Sequence, residues 1–305
     1  MKANEGRSLH ARARRVALLE GTVAGTVFGT AAILIRFLQD SDAFYIAFWR
    51  LVFACLALGA ILVVGRKPFG FRLLRKNLKE LVVLGLFLGL HFIFFVSAVK
   101  DTTILNATVF VNTSPIFSVF VSSFVFKLKP SRFAVLGLVI AFAGMCTIAY
   151  AETATSQVNV AASLKGDLEA LMAAFVESFY LSYGKNVRSR MSILHIMLPV
   201  YFFAALFIGV LSIATPARVY ALPTTTQSLL PLIGLGVLPT ATAHTLYFSS
   251  LSGLKSFETA TMALLEPIGA TILGIALFQE IPKPLFAFGA GLILLGVIFI
   301  AVREE

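Results

Sequence analysis

The chain has 305 residues, of which 58% are hydrophobic and only 13% charged, and its mean hydropathy is +0.91. A soluble domain carries about 25% charged residues and could not bury this much apolar surface in one core, so the composition argues against a soluble enzyme, a disordered chain and a fibrous repeat. The formal net charge of +10 does not indicate a nucleic-acid partner, because the charges fall in short gaps between long apolar runs.

Ten apolar runs follow one another along the chain, each close to the roughly 20 residues that a helix needs to cross a bilayer. They cover residues 17–38, 43–65, 80–99, 103–126, 132–150, 166–187, 192–214, 228–250, 258–279 and 284–302. The strands of a membrane barrel would instead alternate in polarity over about ten residues. The sequence therefore predicts an all-α integral membrane protein with ten transmembrane helices.

The distribution of Lys and Arg predicts the orientation of this bundle. With the N-terminus in the cytoplasm, nineteen of the 25 basic residues fall on the cytoplasmic side and four on the opposite side. The remaining two, Arg36 and Arg50, lie inside spans. Residues 1–15 form a basic tail rather than part of a signal peptide, because the apolar run after them is too long and contains charges. We expect a multi-pass protein of the cell (inner or plasma) membrane with both termini cytoplasmic.

An internal repeat is visible at a fixed spacing. Pro115 and Ile116 stand 152 residues before Pro267 and Ile268, and the same spacing joins further pairs: Leu86 with Leu238, Ser97 with Ser249, Phe126 with Phe278, Pro130 with Pro282, Gly137 with Gly289, and Gly144 with Gly296. Earlier in each half the spacing becomes 149 and pairs Glu20 with Glu169 and Arg36 with Lys185. Five spans in each copy is an odd number, so the second copy must enter the membrane from the opposite side.

The repeat sets the predicted domain boundaries. We expect a cytoplasmic tail at 1–15, a first five-span repeat at 16–151 and a non-cytoplasmic linker at 152–163. The second repeat follows at 164–302, and residues 303–305 form a cytoplasmic C-terminus. In transporters, inverted repeats of this kind place a substrate site near the middle of the membrane, between the halves.

Motifs in both halves resemble those of one family. The run Phe48-Trp49-Arg50-Leu51-Val52-Phe53-Ala54 is similar to the Arg-led second helix of EamA-type members of the drug/metabolite transporter superfamily. The stretch Leu265-Glu266-Pro267 to Gln279-Glu280, with Pro282, Gly289 and Gly296, resembles that family's last two spans, and Thr113-Ser114-Pro115 with Pro130, Gly137 and Gly144 resembles the matching segment of the first half. The sequence departs from the pattern at Phe28-Gly29, where Trp-Gly is common, and at Lys127-Leu128. The resemblance covers about 16–302 and implies a carrier of small metabolites, amino acids or drugs, often outward.

Ionisable groups inside the spans are the candidates for chemistry, since each costs about 2.5–3.5 kcal/mol at a helix centre unless it has a partner or an aqueous cavity. Glu266 lies beside Pro267, which removes one backbone donor and leaves the carbonyl of Ala263 without its usual partner. A carboxylate next to such a helix break suits a cation, a coupling proton or an amine. The alternative is a Glu that hydrogen-bonds a neighbouring helix for packing. Pro115 is the matching break in the first half.

Most of the other candidate residues have both a functional and a structural interpretation. Arg50 suits a substrate carboxylate or phosphate, or it is a structural counter-ion to a buried Glu. His91 and His244 suit gating by protonation or are satisfied buried histidines, and Asn112 is a ligand or an inter-helix contact. Glu177 and Tyr180 share a face of the sixth span. The full set for substrate binding or coupling is Glu266, Arg50, Glu177, His91, His244, Asn112, Tyr247 and Tyr180.

Motifs of other function classes are missing from the sequence: it has no GxxxxGK[ST], no HExxH, no GxSxG and no Cys/His cluster. We therefore predict no catalytic residue, cofactor or metal, and no enzyme. The expected function is a secondary, non-ATP transporter that moves a small metabolite, amino acid or drug as an exporter by alternating access. Its partners are a small-molecule substrate and the bilayer; the substrate, a coupling proton or ion, and the oligomeric state stay open. The alternatives are an intramembrane enzyme that uses Glu and His as acid and base, and a membrane scaffold or sensor without a polar cavity.

Overall fold

The computed structural model describes residues 2–66, 70–102, 104–125, 127, 130–153, 164–279 and 284–302, and the regular secondary structure of these residues is helical. No strand occurs among these residues, so the predicted all-α class is confirmed. Most of the predicted linker, residues 154–163, lies outside the described residues. So do Glu280, Pro282 and the C-terminal residues 303–305.

The described residues form fifteen α-helices, with one π-helical and one 3₁₀ segment among them. In chain order the α-helices are α1 Lys2–Phe28, α2 Thr30–Arg36, α3 Ala43–Val64, α4 Phe71–Lys76, α5 Leu78–Asp101, α6 Ile104–Val111, α7 Ser114–Phe124, α8 Arg132–Thr153, α9 Leu164–Arg188, α10 Ile193–Ser212, α11 Thr226–Leu235, α12 Thr245–Ser250, α13 Ser256–Met262, α14 Glu266–Phe278 and α15 Pro284–Val302. The π-helical segment, Gly236–His244, joins α11 to α12, and the 3₁₀ turn, Ala263–Leu265, joins α13 to α14.

Seven helical segments of the described chain are long and apolar enough to cross a membrane. They are Arg12–Arg36, Ala43–Val64, Leu78–Asp101, Asn106–Phe124, Arg132–Ala151, Ile193–Ser212 and Thr226–Ser250; the shorter Pro284–Ile300 is also apolar. Two further predicted spans differ for physical reasons: α9 carries charges at both ends and Glu177 in its middle, and the predicted ninth span is divided by the 3₁₀ turn. The protein is thus a multi-pass membrane protein, while the count of ten remains a prediction.

The outer faces of the bundle are apolar, as a lipid environment requires. Val63, Val64, Phe124 and Ile213 are each at least 74% exposed. Inside the bundle, one large apolar core joins residues of α1, α3, α5, α9 and α10 with the segment around the π-helix. A smaller core joins α8 and α15 to the 3₁₀ turn. Such an extent of exposed apolar surface marks contact with lipid rather than with water.

Prolines interrupt the helices in three places. The break between α6 and α7 precedes Pro115, and the 3₁₀ turn precedes Pro267. In that turn the amide of Glu266 donates to the carbonyl of Ala263, so the carbonyl that Pro267 cannot reach is satisfied one residue earlier. The third break is the π-helical segment around Pro239. Each break frees backbone groups and turns nearby side chains away from a regular helical face.

The contact between α8 and α15 depends on glycine. Gly137 lies opposite Gly296 and Gly144 lies opposite Gly289, so the two helices run antiparallel. A Cβ at Gly296 would lie 2.6 Å from the backbone nitrogen of Ala141, closer than real Cβ atoms approach. The helix backbones therefore touch directly, as small residues allow in membranes.

Two other contacts join parallel helices. Along α1, Gly25 faces Met262 and Gly29 faces Ala270, so α1 runs in the same direction as α13 and α14. Along α5, Gly85 faces Phe203 and Gly89 faces Phe207. Because residue numbers rise together on both helices, α5 runs in the same direction as α10. In both contacts a helix of the first half of the chain thus packs against a helix of the second half.

The connection between α10 and α11 folds back on α3. The indole nitrogen of Trp49 donates to the carbonyl oxygens of Val219 and Ala221, both at 3.1 Å. The hydroxyl of Tyr220 donates to the carbonyl of Gly209 at 2.8 Å, which ties the same loop to α10. Trp49, the one tryptophan of the sequence, therefore links α3 to this loop one residue before Arg50.

Candidate functional site

A buried polar cavity lies between helices of both halves of the chain. Six of the eight residues that the sequence indicates for binding or coupling line it: Arg50, His91, Asn112, Glu177, His244 and Glu266. The rest of its wall is apolar and consists of Phe28, Ala31, Phe95, Val111 and Ala263. Its volume of about 40 Å³ corresponds to about three water molecules. No metabolite-sized molecule fits in this space, and we call this arrangement of the helices the closed conformation.

Arg50 lies at one side of this cavity and is only 1% exposed. Its Nε donates to the hydroxyl of Thr240 at 3.0 Å, and its guanidinium carbon lies 3.8 Å from the centre of the Phe92 ring, a cation–π contact. In the part of the chain that the structure describes, no carboxylate lies within ion-pair distance of this guanidinium, and its Nη1 has no hydrogen-bond partner. A buried cation in this state attracts an anion.

Glu266 contacts the other half of the chain through Asn112. The side-chain amide of Asn112 donates to Oε2 of Glu266 at 3.0 Å and to the carbonyl of Thr108 at 2.9 Å. Both residues are nearly fully buried and stand at the breaks before Pro115 and Pro267. The two helix breaks therefore meet at this hydrogen bond, with a carboxylate on one side and an amide on the other.

Glu177 lies halfway along α9, with its carboxylate beside the hydroxyls of Ser114 and Tyr247. Neither hydroxyl completes a hydrogen bond of good geometry among the described residues. Ser114 stands 152 residues before Glu266 and takes its place in the first half. The sequence motif around Pro115 predicts only a kink at Ser114. The 152-residue repeat spacing, which pairs Ser114 with Glu266, could have indicated it as a site residue.

The two histidines face each other with their rings 5.9 Å apart. A ring nitrogen of His91, Nδ1, lies 3.1 Å from the carbonyl of Ala173, and its ring stacks parallel to Phe95. His244 packs edge-on against Phe28, and its Nδ1 has no partner among the described residues. His91 is therefore held by the backbone of α9, whereas His244 offers a free nitrogen.

The remaining predicted residues lie beside the cavity rather than in its wall. Tyr180 packs against Phe248 at 5.2 Å, and its hydroxyl points to the sulfur of Met197. Tyr247 packs edge-on against Phe28 at 5.2 Å. Tyr180 therefore does not line the cavity, although Glu177 on the same helix does, and Tyr247 lies next to the cavity.

The sequence does not indicate two residues that hold Arg50 in place, Thr240 and Tyr201. Thr240, in the π-helical segment, accepts the Arg50 hydrogen bond, and the hydroxyl of Tyr201 donates to the backbone carbonyl of Thr240 at 2.7 Å. Nothing in the sequence marks an isolated Thr or Tyr in an apolar helix. Pro239 was the one signal, since a proline inside a span predicts an irregular helix.

Two groups of polar side chains join helices near the two ends of α9. At one end, the hydroxyl of Ser249 donates to Oε1 of Glu20 at 2.9 Å and accepts from Arg188 at 3.3 Å. Next to them Arg14 pairs with the fully buried Glu258 at 2.9 Å. We call these five residues the Glu20 seal. It ties α1 to α9, α12 and α13.

The second group lies at the opposite end of α9 and is more exposed. Lys165 pairs with Asp101 at 2.5 Å and with Glu169 at 3.6 Å, and the carboxylate of Glu169 lies beside the hydroxyl of Ser97. We call these four residues the Glu169 seal. Along α9, Glu169 precedes Glu177 by eight residues, or about 12 Å at 1.5 Å per residue. The repeat spacing relates Glu20 to Glu169 and Ser249 to Ser97.

Comparison with known proteins identifies the family. The model of the EamA-like transporter family matches residues 16–150 and, a second time, residues 164–302. The chain belongs to the EamA-like transporter family. The resemblance that the sequence motifs carry is thereby confirmed. This EamA-like protein is a membrane transporter, with a small-molecule substrate and a lipid environment.

Relatives of this EamA-like transporter match it over most of their length. An uncharacterized transporter of Archaeoglobus fulgidus is 25% identical over 273 residues, 88% of this chain and 91% of that protein. The uncharacterized transporter YxxF of Bacillus subtilis is 20% identical over 300 residues, 98% of this chain and 93% of that protein. A solved crystal structure with 18% identity superposes with a TM-score of 0.77 over 95% of this chain and 99% of its own, which shows a common fold. Neither relative's name gives a substrate.

Proposed function

We propose that this transporter moves a small zwitterionic solute with an apolar or aromatic body, without ATP, by alternating access, and that it works as an exporter. One observation carries the proposal: Arg50, with an unsatisfied Nη1, lines the same enclosed space as the carboxylates of Glu177 and Glu266. No enzymatic step is part of this proposal. The polar cavity also favours a carrier over a scaffold or sensor.

The charges of the cavity indicate the chemistry of the solute. Guanidinium donors suit a substrate carboxylate, and the side-chain carboxylates suit an ammonium group. Phe28 and Phe95 provide an apolar wall between them for the body of the solute. A zwitterion would neutralise both sides of the cavity at once, whereas an amine or an anion alone would leave one side uncompensated.

Ten spans in two inverted repeats agree with the way the helices pack. The antiparallel α8 and α15 are equivalent under the 152-residue spacing, as expected when equivalent helices cross in opposite directions. The parallel contacts of α1 with α14 and of α5 with α10 also agree with ten crossings. Lys127 and Gln279, again 152 residues apart, both have positive φ, 56° and 54°. These features support repeats at 16–151 and 164–302.

Alternating access requires a closure on each side of the cavity, and the two seals are suited to that role. We propose that the Glu20 seal faces the cytoplasm and the Glu169 seal the opposite side, as the basic asymmetry of the sequence implies for a cell-membrane protein with both termini cytoplasmic. The tail at 1–15 and residues 303–305 then lie in the cytoplasm, and the linker at 152–163 lies outside. In the closed conformation both seals are formed, and substrate enters only after one of them opens.

The proposal is tested with purified protein in proteoliposomes. We expect counterflow of radiolabelled L-phenylalanine, without ATP, by the wild-type protein. Arg50→Gln should raise the KM for L-phenylalanine by at least about tenfold, the worth of one hydrogen bond to a charged group, and leave the KM for phenethylamine, which lacks the carboxylate, within about twofold. The matched control is Cys146→Ser, an exposed position away from the cavity. Wild-type vesicles that do not exchange L-phenylalanine, or an Arg50→Gln protein with unchanged KM values, would contradict the proposal.

A further inference from the structure

The π-helical segment around Pro239 has a specific hydrogen-bond pattern. Pro239 has no N–H, so the carbonyl of Leu235 lacks its usual partner four residues later. The hydrogen bonds of a π-helix join residues five apart, and the hydroxyl of Thr240, five residues after Leu235, donates to this carbonyl at 2.6 Å. The proton of the Thr240 hydroxyl is thus committed to the backbone.

This commitment determines what Thr240 can offer to Arg50. A hydroxyl has one proton and two lone pairs, so with its proton on Leu235 the Thr240 oxygen can only accept. The Nε of Arg50 donates to it at 3.0 Å. The carbonyl of Leu235, by binding the hydroxyl proton of Thr240, therefore orients the Thr240 oxygen as an acceptor for the Arg50 guanidinium.

Tyr201 holds the same turn from α10. Its hydroxyl donates to the backbone carbonyl of Thr240 at 2.7 Å and lies 3.0 Å from the hydroxyl of Thr245. Tyr201 and Thr240 are both fully buried, and neither lines the cavity. Arg50 is thus held at Nε by Thr240 and on one face by Phe92, and its Nη1 is a buried donor without a hydrogen-bond partner among the described residues.

We infer that Thr240 and Tyr201 are positioning residues for substrate recognition: they fix the Arg50 guanidinium through Nε so that its two Nη groups are kept for the anionic group of the substrate, which neither residue touches. The inference rests on the proposed function, because it takes Arg50 to be the group that binds the anion. The π-helical segment ends at His244, which lines the cavity as well, so the same segment supports two residues of the wall.

The experiment separates positioning from a role in stability by using two probes. KM values for L-phenylalanine and phenethylamine are measured in proteoliposomes for Thr240→Val, which keeps the shape and removes the hydroxyl, and for Thr240→Ser, which keeps the hydroxyl. We expect Thr240→Val to raise the KM for L-phenylalanine about tenfold, as the loss of one charge-assisted hydrogen bond implies. The KM for phenethylamine should stay within about twofold, and Thr240→Ser should restore the wild-type value for both probes.

Two further variants complete the test. Tyr201→Phe removes the second hydrogen bond and should raise the KM for L-phenylalanine about threefold, again without effect on phenethylamine; it also provides the test if Thr240→Val does not fold. Thr261→Val is the matched control, since the Thr261 hydroxyl is equally buried but bonds to the carbonyl of Phe257 within α13, away from Arg50. It should change neither KM.

Failure of this inference and failure of the proposed function give different results. If Arg50→Gln raises the KM for L-phenylalanine but Thr240→Val and Tyr201→Phe do not, the positioning role is wrong and the anion site stands. Equal KM increases for both probes in Thr240→Val would mean that the hydroxyl only stabilises the helix. If Arg50→Gln itself leaves the KM for L-phenylalanine unchanged, the anion site is wrong and the inference falls with it.

Discussion

Glu266 combines three features that few other side chains of the protein share. It is buried, it stands at a helix break, and it is hydrogen-bonded to the other half of the chain through Asn112. A carboxylate with these properties can exchange a proton or an ammonium group with the cavity when the surrounding helices move. The hydrogen bond to Asn112 gives it a fixed position in the closed conformation.

Replacing this carboxylate is the first prediction. Glu266→Gln keeps the volume and one hydrogen-bonding oxygen but removes the charge and the titration. We expect membrane insertion and folding to be nearly unchanged. Transport of L-phenylalanine should fall at least about tenfold, or lose its pH dependence if a proton is the coupling ion. Rates measured in proteoliposomes across a pH series check both.

The matched control for Glu266→Gln is Glu80→Gln. Glu80 pairs with Arg190 at 3.8 Å at a partly exposed site outside the cavity, and such pairs contribute little. Its transport rate should stay within about twofold of the wild type. If the Glu266→Gln protein has the wild-type rate and pH profile, Glu266 has a packing role, and Glu177 becomes the candidate for the coupling carboxylate.

For single residues, the sequence indicates the charged side chains, the histidines and Asn112, and it misses the hydroxyl groups of Ser114 and Thr240. Arg50, Glu177 and Glu266 stand out because a charge inside an apolar run is costly and therefore needs a reason. Ser114 and Thr240 do not, because a hydroxyl in a membrane helix can bond to its own backbone and is common there. Their roles depend on partners more than sixty residues away in the chain, which periodicity and local motifs cannot show.

At the scale of the helices, we predict that variants in the two seals open the protein at opposite ends. Ser249→Ala removes the hydrogen bond to Glu20 and should favour opening at the end that we place in the cytoplasm. Ser97→Ala removes the contact to Glu169 and should favour opening at the other end. The measurement is the labelling of a cysteine at the cavity residue Ala31 by a membrane-impermeant thiol reagent, applied from each side, in a protein without Cys55 and Cys146.

The two shifts should also differ in size. The pair Arg14–Glu258 beside Ser249 is largely buried, whereas Lys165 in the Glu169 seal is 69% exposed, and exposed ion pairs contribute about 1 kcal/mol or less. We therefore expect the larger increase in labelling with Ser97→Ala. Two serine variants that increase labelling from the same side would contradict a gate at each end.

The contact between α8 and α15 gives a prediction on stability. In Gly296→Ala the new Cβ would lie 2.6 Å from the backbone nitrogen of Ala141, so the helices must separate and the protein should unfold at a lower temperature. The control is Gly291→Ala on the same helix, where a Cβ meets no atom within 4 Å. Alanine is favoured over glycine in a helix by about 1 kcal/mol, so this variant should be as stable as the wild type or more so. Thermal unfolding of both proteins in detergent is the measurement, and equal melting temperatures would mean that the helices adjust without cost.

For the molecule as a whole, topology is the direct test of the proposed inversion. His10→Cys and Gln157→Cys are placed separately in the protein without native cysteines. An impermeant reagent applied to intact cells should label position 157 and spare position 10, because the basic residues of the sequence place the N-terminal tail inside. The reverse pattern would overturn the orientation, and labelling of both would show an even number of spans in the first repeat.

The positions of the helices follow from the sequence, and the prolines indicate where helices are interrupted, but the form of each interruption does not follow from the sequence. Apolar runs locate the segments because a bilayer requires about twenty apolar residues per crossing. The 3₁₀ turn before Glu266 and the π-helical segment at Gly236–His244 depend on which donors replace the missing N–H of a proline. Those donors, such as the hydroxyl of Thr240, are selected by packing among distant helices, so a one-dimensional pattern cannot specify them.

The two halves share a plan but differ in chemistry. Under the repeat spacings, Glu266 corresponds to Ser114 and Glu177 to Phe28, so the carboxylates of the cavity come from the second half. Arg50 comes from the first half, where its counterpart is Pro199. The cavity is therefore electrically asymmetric across the repeat, since the first half contributes its Arg and the second half contributes its two carboxylates.

Trp49 gives the molecule a built-in optical reporter. It is the one indole in the sequence, it hydrogen-bonds the loop between α10 and α11, and it neighbours Arg50 on α3. A movement of α3 relative to that loop would break these hydrogen bonds and change the polarity around the ring. The intrinsic fluorescence of the unlabelled protein should then shift in wavelength when substrate binds, so that the transport cycle can be followed in real time without attaching a dye.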